Sequence, residues 1–212
     1  MVFLANPGNP TGTRIPRQQI RRLRQAIPEH TLLVIDEAYA EFSDTVDAPL
    51  FDLTHNTQTI VLRTFSKAYG LAGLRVGWGV FEESVAEQVR KLLNPNNISA
   101  LSQVAADACV QDQTYMQDTC KQTIELRDGL IGELKQAGVH LPASHTNFVL
   151  IPFNSSETAD QVDRTLRAHG MVVRNMAGYD LPWCLRLTIT NREDMKLVQH
   201  ALLNALTQVQ LS

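Results

Sequence analysis

The sequence has little of what specialised small domains are built on. Its 212 residues hold three cysteines, Cys109, Cys120 and Cys184. They are odd in number, far apart, and form no Cys-x-x-Cys pair, which argues against a zinc ribbon and a disulfide framework and for free thiols in a reducing compartment. Charge of one sign is also missing: 19 Lys and Arg stand against 22 Asp and Glu, a net charge of -3. The densest basic stretch, Arg14 to Arg24, has the spacing of a solvated helix face, so no basic stripe for nucleic acid is expected. No apolar run reaches the ~20 residues that cross a bilayer. The first residues lack the charged and apolar regions of a signal peptide, and a cytoplasmic location is expected. The six histidines, His30, His55, His140, His145, His169 and His200, show no metal-ligand spacing. The glycines from Gly70 to Gly79 do not make a Gly-x-Gly-x-x-Gly fingerprint, so neither a metal nor a dinucleotide site is expected. There is no internal repeat and no low-complexity segment.

What is present is a chain with 44% hydrophobic residues, enough to pack one large domain or two small ones. Val2 to Ala5 reads as a strand running into the turn cluster Asn6-Pro7-Gly8-Asn9-Pro10-Thr11-Gly12. A helix is predicted from Pro16, at its first position, to about Ile27. Leu32–Ile35, Thr59–Leu62 and Arg75–Phe81 read as further strands. Continuous apolar strands alternating with helices predict an α/β fold with a mostly parallel sheet. From Glu82 to Gly138 the pattern is helical, broken at Asn94-Pro95-Asn96-Asn97, with one long helix from Ser99 to Lys135. Beyond it, strands at Phe148–Phe153, Met171–Arg174 and Cys184–Ile189 and helices at Thr158–His169 and Arg192–Leu206 make a small α+β unit. The expected division is a large-domain portion at 1–95, a linking helical region at 96–140 and a small C-terminal domain at 141–212.

In an open α/β sheet, ligands bind beyond the carboxyl ends of the strands. Here each of three successive strands ends in a reactive group: Asn9 after the first, Asp36 and Tyr39 after the second, Ser66 and Lys67 after the third. Singly, each has a plain structural explanation. An Asp there caps a helix or makes a turn, a Lys is solvated, a Tyr packs, and Ser66 and Thr64 cap locally. Three in succession are harder to explain that way. Arg186, inside the apolar run Cys184 to Ile189, needs a partner for its charge.

The segments Asn6-Pro7-Gly8-Asn9-Pro10-Thr11-Gly12, Asp36-Glu37-Ala38-Tyr39 and Thr64-Phe65-Ser66-Lys67-Ala68-Tyr69-Gly70-Leu71-Ala72-Gly73-Leu74-Arg75-Val76-Gly77 resemble, in order and spacing, the signature of pyridoxal-phosphate (PLP) aminotransferases of fold type I. Val173-Arg174-Asn175 and Cys184-Leu185-Arg186-Leu187 resemble the substrate-binding segment of the histidinol-phosphate group within that family. The resemblance runs over essentially the whole chain. It implies that Lys67 holds PLP covalently and moves protons at the substrate. It places Asp36 at the pyridine nitrogen, where a carboxylate favours the protonated ring, and Asn9 and Tyr39 at the ring oxygen. Thr64, Ser66 and Arg75 would bind the cofactor phosphate, where a forked guanidinium suits better than a point charge. Arg186 would clamp the α-carboxylate of the substrate and Arg174 the substrate phosphate; a strand-end surface charge is the plain alternative for Arg174.

The implied reaction is transamination between histidinol phosphate (or imidazole acetol phosphate) and 2-oxoglutarate or glutamate, in a homodimer. A related aromatic amino-acid aminotransferase, or a decarboxylase of a phosphorylated amino acid, would keep the same Lys67, Asp36, Tyr39 and Asn9. A non-catalytic interaction module is the alternative of a different class. Family members are longer, and their additional residues come first. Those residues carry a glycine turn for the cofactor phosphate, an aromatic ring stacked on the pyridine, and an arm that reaches the neighbouring subunit. The large-domain sheet is therefore expected to be incomplete within these residues, and the chain alone is expected to be inactive. Thr190-Asn191 stands where the family often has a glycine.

Overall fold

The computed structural model describes residues 1–43, 50–55 and 57–210. Its elements are β1 (Val2–Ala5), α1 (Arg17–Ala26), β2 (Leu33–Asp36), β3 (Thr59–Thr64), β4 (Gly77–Val80), α2 (Glu83–Leu92), α3 (Ala100–Gln111), α4 (Gln113–Gln136), β5 (Phe148–Pro152), α5 (Ser156–Ala168), β6 (Arg174–Asn175), β7 (Cys184–Thr188) and α6 (Arg192–Gln210). They form two compact units. Unit 1 is Met1–Gly8 with Arg14–Cys120, and unit 2 is Asn9–Thr13 with Lys121–Ser212. The expected linking region 96–140 thus divides between the two at Cys120 and Lys121.

Unit 1 is built on a sheet in the order β1-β2-β3-β4. β1 pairs with β2 and β2 with β3 in parallel, with Asp36 opposite both Ala5 and Leu62. The mostly parallel sheet follows from the short apolar runs, which bury Leu33, Ile35 and Val61 completely against Ile20 of α1 and Leu50; each such side chain contributes ~1.5–3 kcal/mol. β4 is antiparallel to β3. A parallel return needs a long crossover, usually a helix, and the connection 65–76 holds only one 3-10 turn, Ala72–Leu74. The strand also begins at Gly77, not at Arg75 as expected. Gly77 is required there, because a Cβ at this position would lie 2.8 Å from the carbonyl oxygen of Arg63.

Three further expectations are corrected in detail. Pro16 is the N-cap of α1 and not its first helical residue. Arg24, expected on a solvated helix face, is buried, and its guanidinium donates to four main-chain carbonyls, those of Thr31, Gln58, Ile27 and Pro28. The long helix from Ser99 to Lys135 is two helices. Asp112 leaves helical geometry (φ -95°, ψ 68°), and its carboxylate accepts from the amide of Tyr115, capping α4.

Unit 2 carries a three-stranded antiparallel sheet, order β5-β7-β6. Its inward positions, Val149 and Ile151 on β5 and Leu185 and Leu187 on β7, pack with Val162 and Leu166 of α5 and Leu202 of α6 in one apolar core. Ser155 caps α5 by accepting from the amide of Thr158. The strand expected over Met171–Arg174 forms ladder bonds only at Arg174–Asn175. The segment Asn9–Thr13 belongs to this unit: the amide of His145 donates to the carbonyl of Gly12 at 2.8 Å. Gly12 sits at φ +74°, and a Cβ there would meet Ser144 Oγ at 2.7 Å. Only glycine fits such a contact at a left-handed φ. No helix among the described residues is long and apolar enough to cross a membrane.

Candidate active site

In unit 1 the polar groups gather where β2 and β3 end. Asp36 is the last residue of β2 and is exposed, while the neighbouring Glu37 is buried. The Asp36 carboxylate accepts from the amide of Ala38 at 2.9 Å. That bond shapes the turn carrying Tyr39, whose side chain is buried. Parallel pairing sets the end of β3 beside this turn, and the amide of Glu37 donates to the carbonyl of Leu62. Three residues past the end of β3, Lys67 is half-buried, and its Nζ lies 5.4 Å from the centroid of the Tyr39 ring. A cation over an aromatic face at that distance is attracted by the ring.

Thr64 and Ser66 do not cap a helix. Their hydroxyls bond to each other at 2.9 Å, and Thr64 Oγ1 also accepts from the amide of Ser66 at 3.0 Å, which holds both in one tight turn before Lys67. Arg75 is exposed with φ 53°, and its Nη1 donates to the carbonyl of Ala72 at 3.0 Å. Its recorded contact is thus to its own turn. The structure brings together Asp36, Tyr39, Thr64, Ser66 and Lys67, and keeps Arg75 in the same unit.

In unit 2, Arg174 and Arg186 are direct partners across the β6–β7 ladder, so both project from one face of the sheet. They line a cleft of about 400 Å³ with Arg167, Val172, Val173, Asn175 and Thr188. Arg186 Nη1 donates to Asn9 Oδ1 at 2.5 Å, and its guanidinium carbon lies 4.7 Å from the centroid of the Phe148 ring. Its buried Nε has no hydrogen-bond partner among the described residues. Two guanidinium groups side by side repel unless an anion lies between them. The paired positive charge lining the cleft suits a carboxylate or a phosphate. Asn9, expected at a cofactor ring beside Tyr39, belongs to unit 2, where it accepts from Arg186.

Two groups escaped sequence reading. Phe148, beneath Arg186, looked like an ordinary strand residue. Glu37 and Arg63 form a buried ion pair at the ends of β2 and β3; an Arg inside an apolar strand was the available signal. Cys109, Cys120 and Cys184 are free thiols, and burial, with the Glu41 carboxylate adding to it, pushes Cys120 up to about 12, which makes it inert at neutral pH. No group of three or more His, Cys, Asp or Glu among the described residues is placed to hold a metal ion.

Parallel strands that end in a carboxylate, a tyrosine and a lysine match a known class. Residues 1–202 match the family of class I and II aminotransferases, and the chain belongs to that family. Among its relatives, the histidinol-phosphate aminotransferase of Cereibacter sphaeroides (strain KD131 / KCTC 12085) is 39% identical over 202 residues, 95% of this chain and 56% of the relative. The enzyme of the same name from Ruegeria pomeroyi is 38% identical over 201 residues, again 95% and 56%. The chain therefore spans a little over half the length of these relatives. The crystal structure of histidinol-phosphate aminotransferase from Sinorhizobium meliloti, in complex with pyridoxal-5'-phosphate, matches with a TM-score of 0.89 at 33% identity, over 98% of this chain and 57% of that one. L-Threonine-O-3-phosphate decarboxylase from Porphyromonas gingivalis shares the fold, with a TM-score of 0.84 at 24% identity over 97% of this chain and 64% of that one. The fold is the mixed α/β fold type I of these enzymes.

Proposed function

We propose that the whole protein carrying these residues is a PLP-dependent aminotransferase that exchanges the amino group of histidinol phosphate with 2-oxoglutarate, a step of histidine biosynthesis. The observation that carries this reading is the half-buried Lys67 amine set over Tyr39 where β2 and β3 end, with Asp36 on the same turn. The residues present fit the cofactor. An exposed carboxylate, a tyrosine hydroxyl, a paired Thr64–Ser66 hydroxyl turn and a lysine amine are the donor and acceptor set that a pyridine nitrogen, a ring oxygen, a phosphate and an aldehyde need.

When bound, PLP supplies an electron sink for the pair left when a proton leaves the substrate carbon. The protein's part is to hold and to move protons. The Asp36 carboxylate would keep a proton on the ring nitrogen, since an adjacent anion favours the charged form. Tyr39 and Asn9 would donate to the ring oxygen. Thr64, Ser66 and Arg75 would hold the phosphate. Lys67 Nζ would attach the cofactor, and once free would take the proton from the carbon that bears the substrate's amino group.

Arg174 and Arg186, opposite each other on β6 and β7, would bind the substrate's anionic end. Arg174 would take the phosphate of histidinol phosphate and Arg186 the α-carboxylate of glutamate. Histidinol phosphate has no carboxylate, so with that substrate Arg186 would turn to the phosphate and assist Arg174. A homodimer is part of the same reading, supported by the exposed apolar side chains Leu92, Leu101 and Val104 of unit 1.

The test is chemical trapping. Borohydride reduction of the protein with PLP, followed by peptide mapping, is expected to leave the pyridoxyl group on Lys67. A label on any other lysine would overturn the assignment.

A further inference from the structure

Behind the strand ends that carry the proposed chemistry lies a second polar cluster that the reaction does not use. Asp36 and Glu37 are consecutive, as are Arg63 and Thr64. Side chains alternate in extended chain, so Asp36 and Thr64 belong to one side, and Glu37 and Arg63 to the other. The exposure follows suit: Asp36 is open, while the Glu37 side chain is 2% exposed and that of Arg63 16%. Arg63 Nε and Nη2 both donate to Glu37 Oε2, at 3.0 and 2.7 Å, and Nη1 donates to Glu41 Oε1 at 3.3 Å. Arg17 Nη2 lies 3.5 Å from Glu37 Oε1. The guanidinium is held over the rings of Phe51 at 5.5 Å and Trp78 at 5.9 Å.

We propose that the Glu37–Arg63 ion pair is a positioning device, which locks the end of β2 to the end of β3 and so sets where Asp36 and Lys67 stand relative to each other. This rests on the roles given above to Asp36 and Lys67. Three anchors meet at Glu37. Its amide donates to the Leu62 carbonyl, its carbonyl accepts from the Ala40 amide, and its carboxylate takes the fork of Arg63. The turn between Asp36 and Tyr39 consists of Glu37 and Ala38, and Glu37 carries all three anchors. On the other strand, Arg63 directly precedes the Thr64–Ser66 turn that leads to Lys67. A buried ion pair is a weak source of stability, because desolvation offsets the attraction, and apolar replacements often do as well. What a forked guanidinium does better than an apolar side chain is fix direction. Without Arg63, the buried carboxylates Glu37 and Glu41 would lose their common partner, and the turn would lose its side-chain lock.

The experiment compares the wild-type protein with Arg63→Lys, Arg63→Met and the double variant Glu37→Met/Arg63→Met. Three quantities are read: the melting temperature without cofactor, the dissociation constant for PLP, and the midpoint pH of the absorbance change of the bound cofactor. Arg63→Lys, which keeps the charge and loses the fork, is expected to move that midpoint by about one pH unit and weaken PLP binding roughly tenfold, a change worth ~1.4 kcal/mol. The double variant is expected to recover the melting temperature lost by Arg63→Met while keeping the displaced midpoint. A merely structural pair would instead give variants that melt earlier but carry the wild-type midpoint and affinity once folded, and that result overturns the inference. If Arg63→Met does not fold, the other two variants decide. A wild-type protein that does not react with PLP overturns the proposed function, and this inference falls with it. A wild type that reacts, beside variants that match it in midpoint and affinity, overturns the inference alone.

Discussion

The two units differ in the size of their apolar cores and in where their charged groups lie. Unit 2 has the larger apolar core, where strands β5 and β7 and helices α5 and α6 bury Val162, Leu166 and Leu202 completely, and it also buries Arg127, whose Nη1 donates to the Thr146 carbonyl. One face of its sheet carries Arg174 and Arg186. Unit 1 has a smaller apolar cluster around Ile20, Leu33, Ile35, Leu50 and Val61, and holds charge beside it: buried Glu37 with partly buried Arg63 and Glu41 behind the strand ends, and buried Arg24 among main-chain carbonyls. Helices α2 and α3 bury almost nothing, and Leu92, Leu101 and Val104 are among the most exposed apolar side chains. The contrast teaches that unit 2 relies chiefly on packing, with Arg127 its buried charge and Arg174 and Arg186 on one face of its sheet. Unit 1 ties the ends of β2 and β3 together with directional polar contacts, the Arg63 guanidinium on the Glu37 carboxylate and the Glu37 amide on the Leu62 carbonyl.

The comparison is broken most forcefully in the core of unit 2. Leu166→Ala removes a fully buried side chain and is expected to cost ~2–5 kcal/mol of stability, read by denaturant unfolding. Borohydride labelling of Lys67 should be unchanged under native conditions. A loss of labelling in the folded variant would show that the division of labour between the units is wrong.

Asp36→Asn tests the opposite pole. The side chain is exposed and bonded only to the Ala38 amide among its recorded contacts, so thermal stability should stay within ~0.5 kcal/mol. Turnover should fall by a factor corresponding to ~3 kcal/mol, the usual size of a lost electrostatic group in an active site. Steady-state kinetics at saturating PLP would measure it, and near-normal turnover would remove Asp36 from the ring nitrogen.

Arg174→Ala sharpens the reading of unit 2. Loss of charge-assisted hydrogen bonds should cost ~1.5–3 kcal/mol in kcat/KM for histidinol phosphate and far less for glutamate. Arg186→Ala should chiefly harm glutamate. Equal losses for both substrates in the Arg174 variant would contradict the assigned roles.

The smallest effect concerns the buried charge of unit 1. Burial holds the Glu41 carboxyl above its ordinary value of 4.5, ahead of the opposing pull of Arg63. A carboxyl with a raised folded-state pKa binds its proton more tightly in the native protein. Its contribution to stability is therefore full below the ordinary value and is lost as pH rises through the raised one. Glu41→Gln is expected to flatten that decline, by less than about 1 kcal/mol, in unfolding measured from pH 4.5 upward. An unaltered pH profile would show that Glu41 titrates normally.

Much of this architecture was legible in the order of residues alone. Short apolar runs ending at Asp36 and Thr64 define parallel strands whose carboxyl ends carry polar groups, because strand burial and ligand placement in such sheets follow from local pattern. Its place inside the apolar run Cys184 to Ile189 likewise marked Arg186 as a charge that needs a partner. Other features were decided only by tertiary structure, because they depend on contacts between distant residues. Gly12 meets Ser144, and Asn9 meets Arg186, across more than a hundred residues of chain, so no local pattern could assign the segment Asn9–Thr13 to unit 2. The antiparallel course of β4, the two-residue extent of β6 and the pairing of Glu37 with Arg63 are also products of the ladder partners. Propensity sets which residues extend or coil; partners in space set which way a strand runs, where it stops, and which buried charge finds its counter-ion.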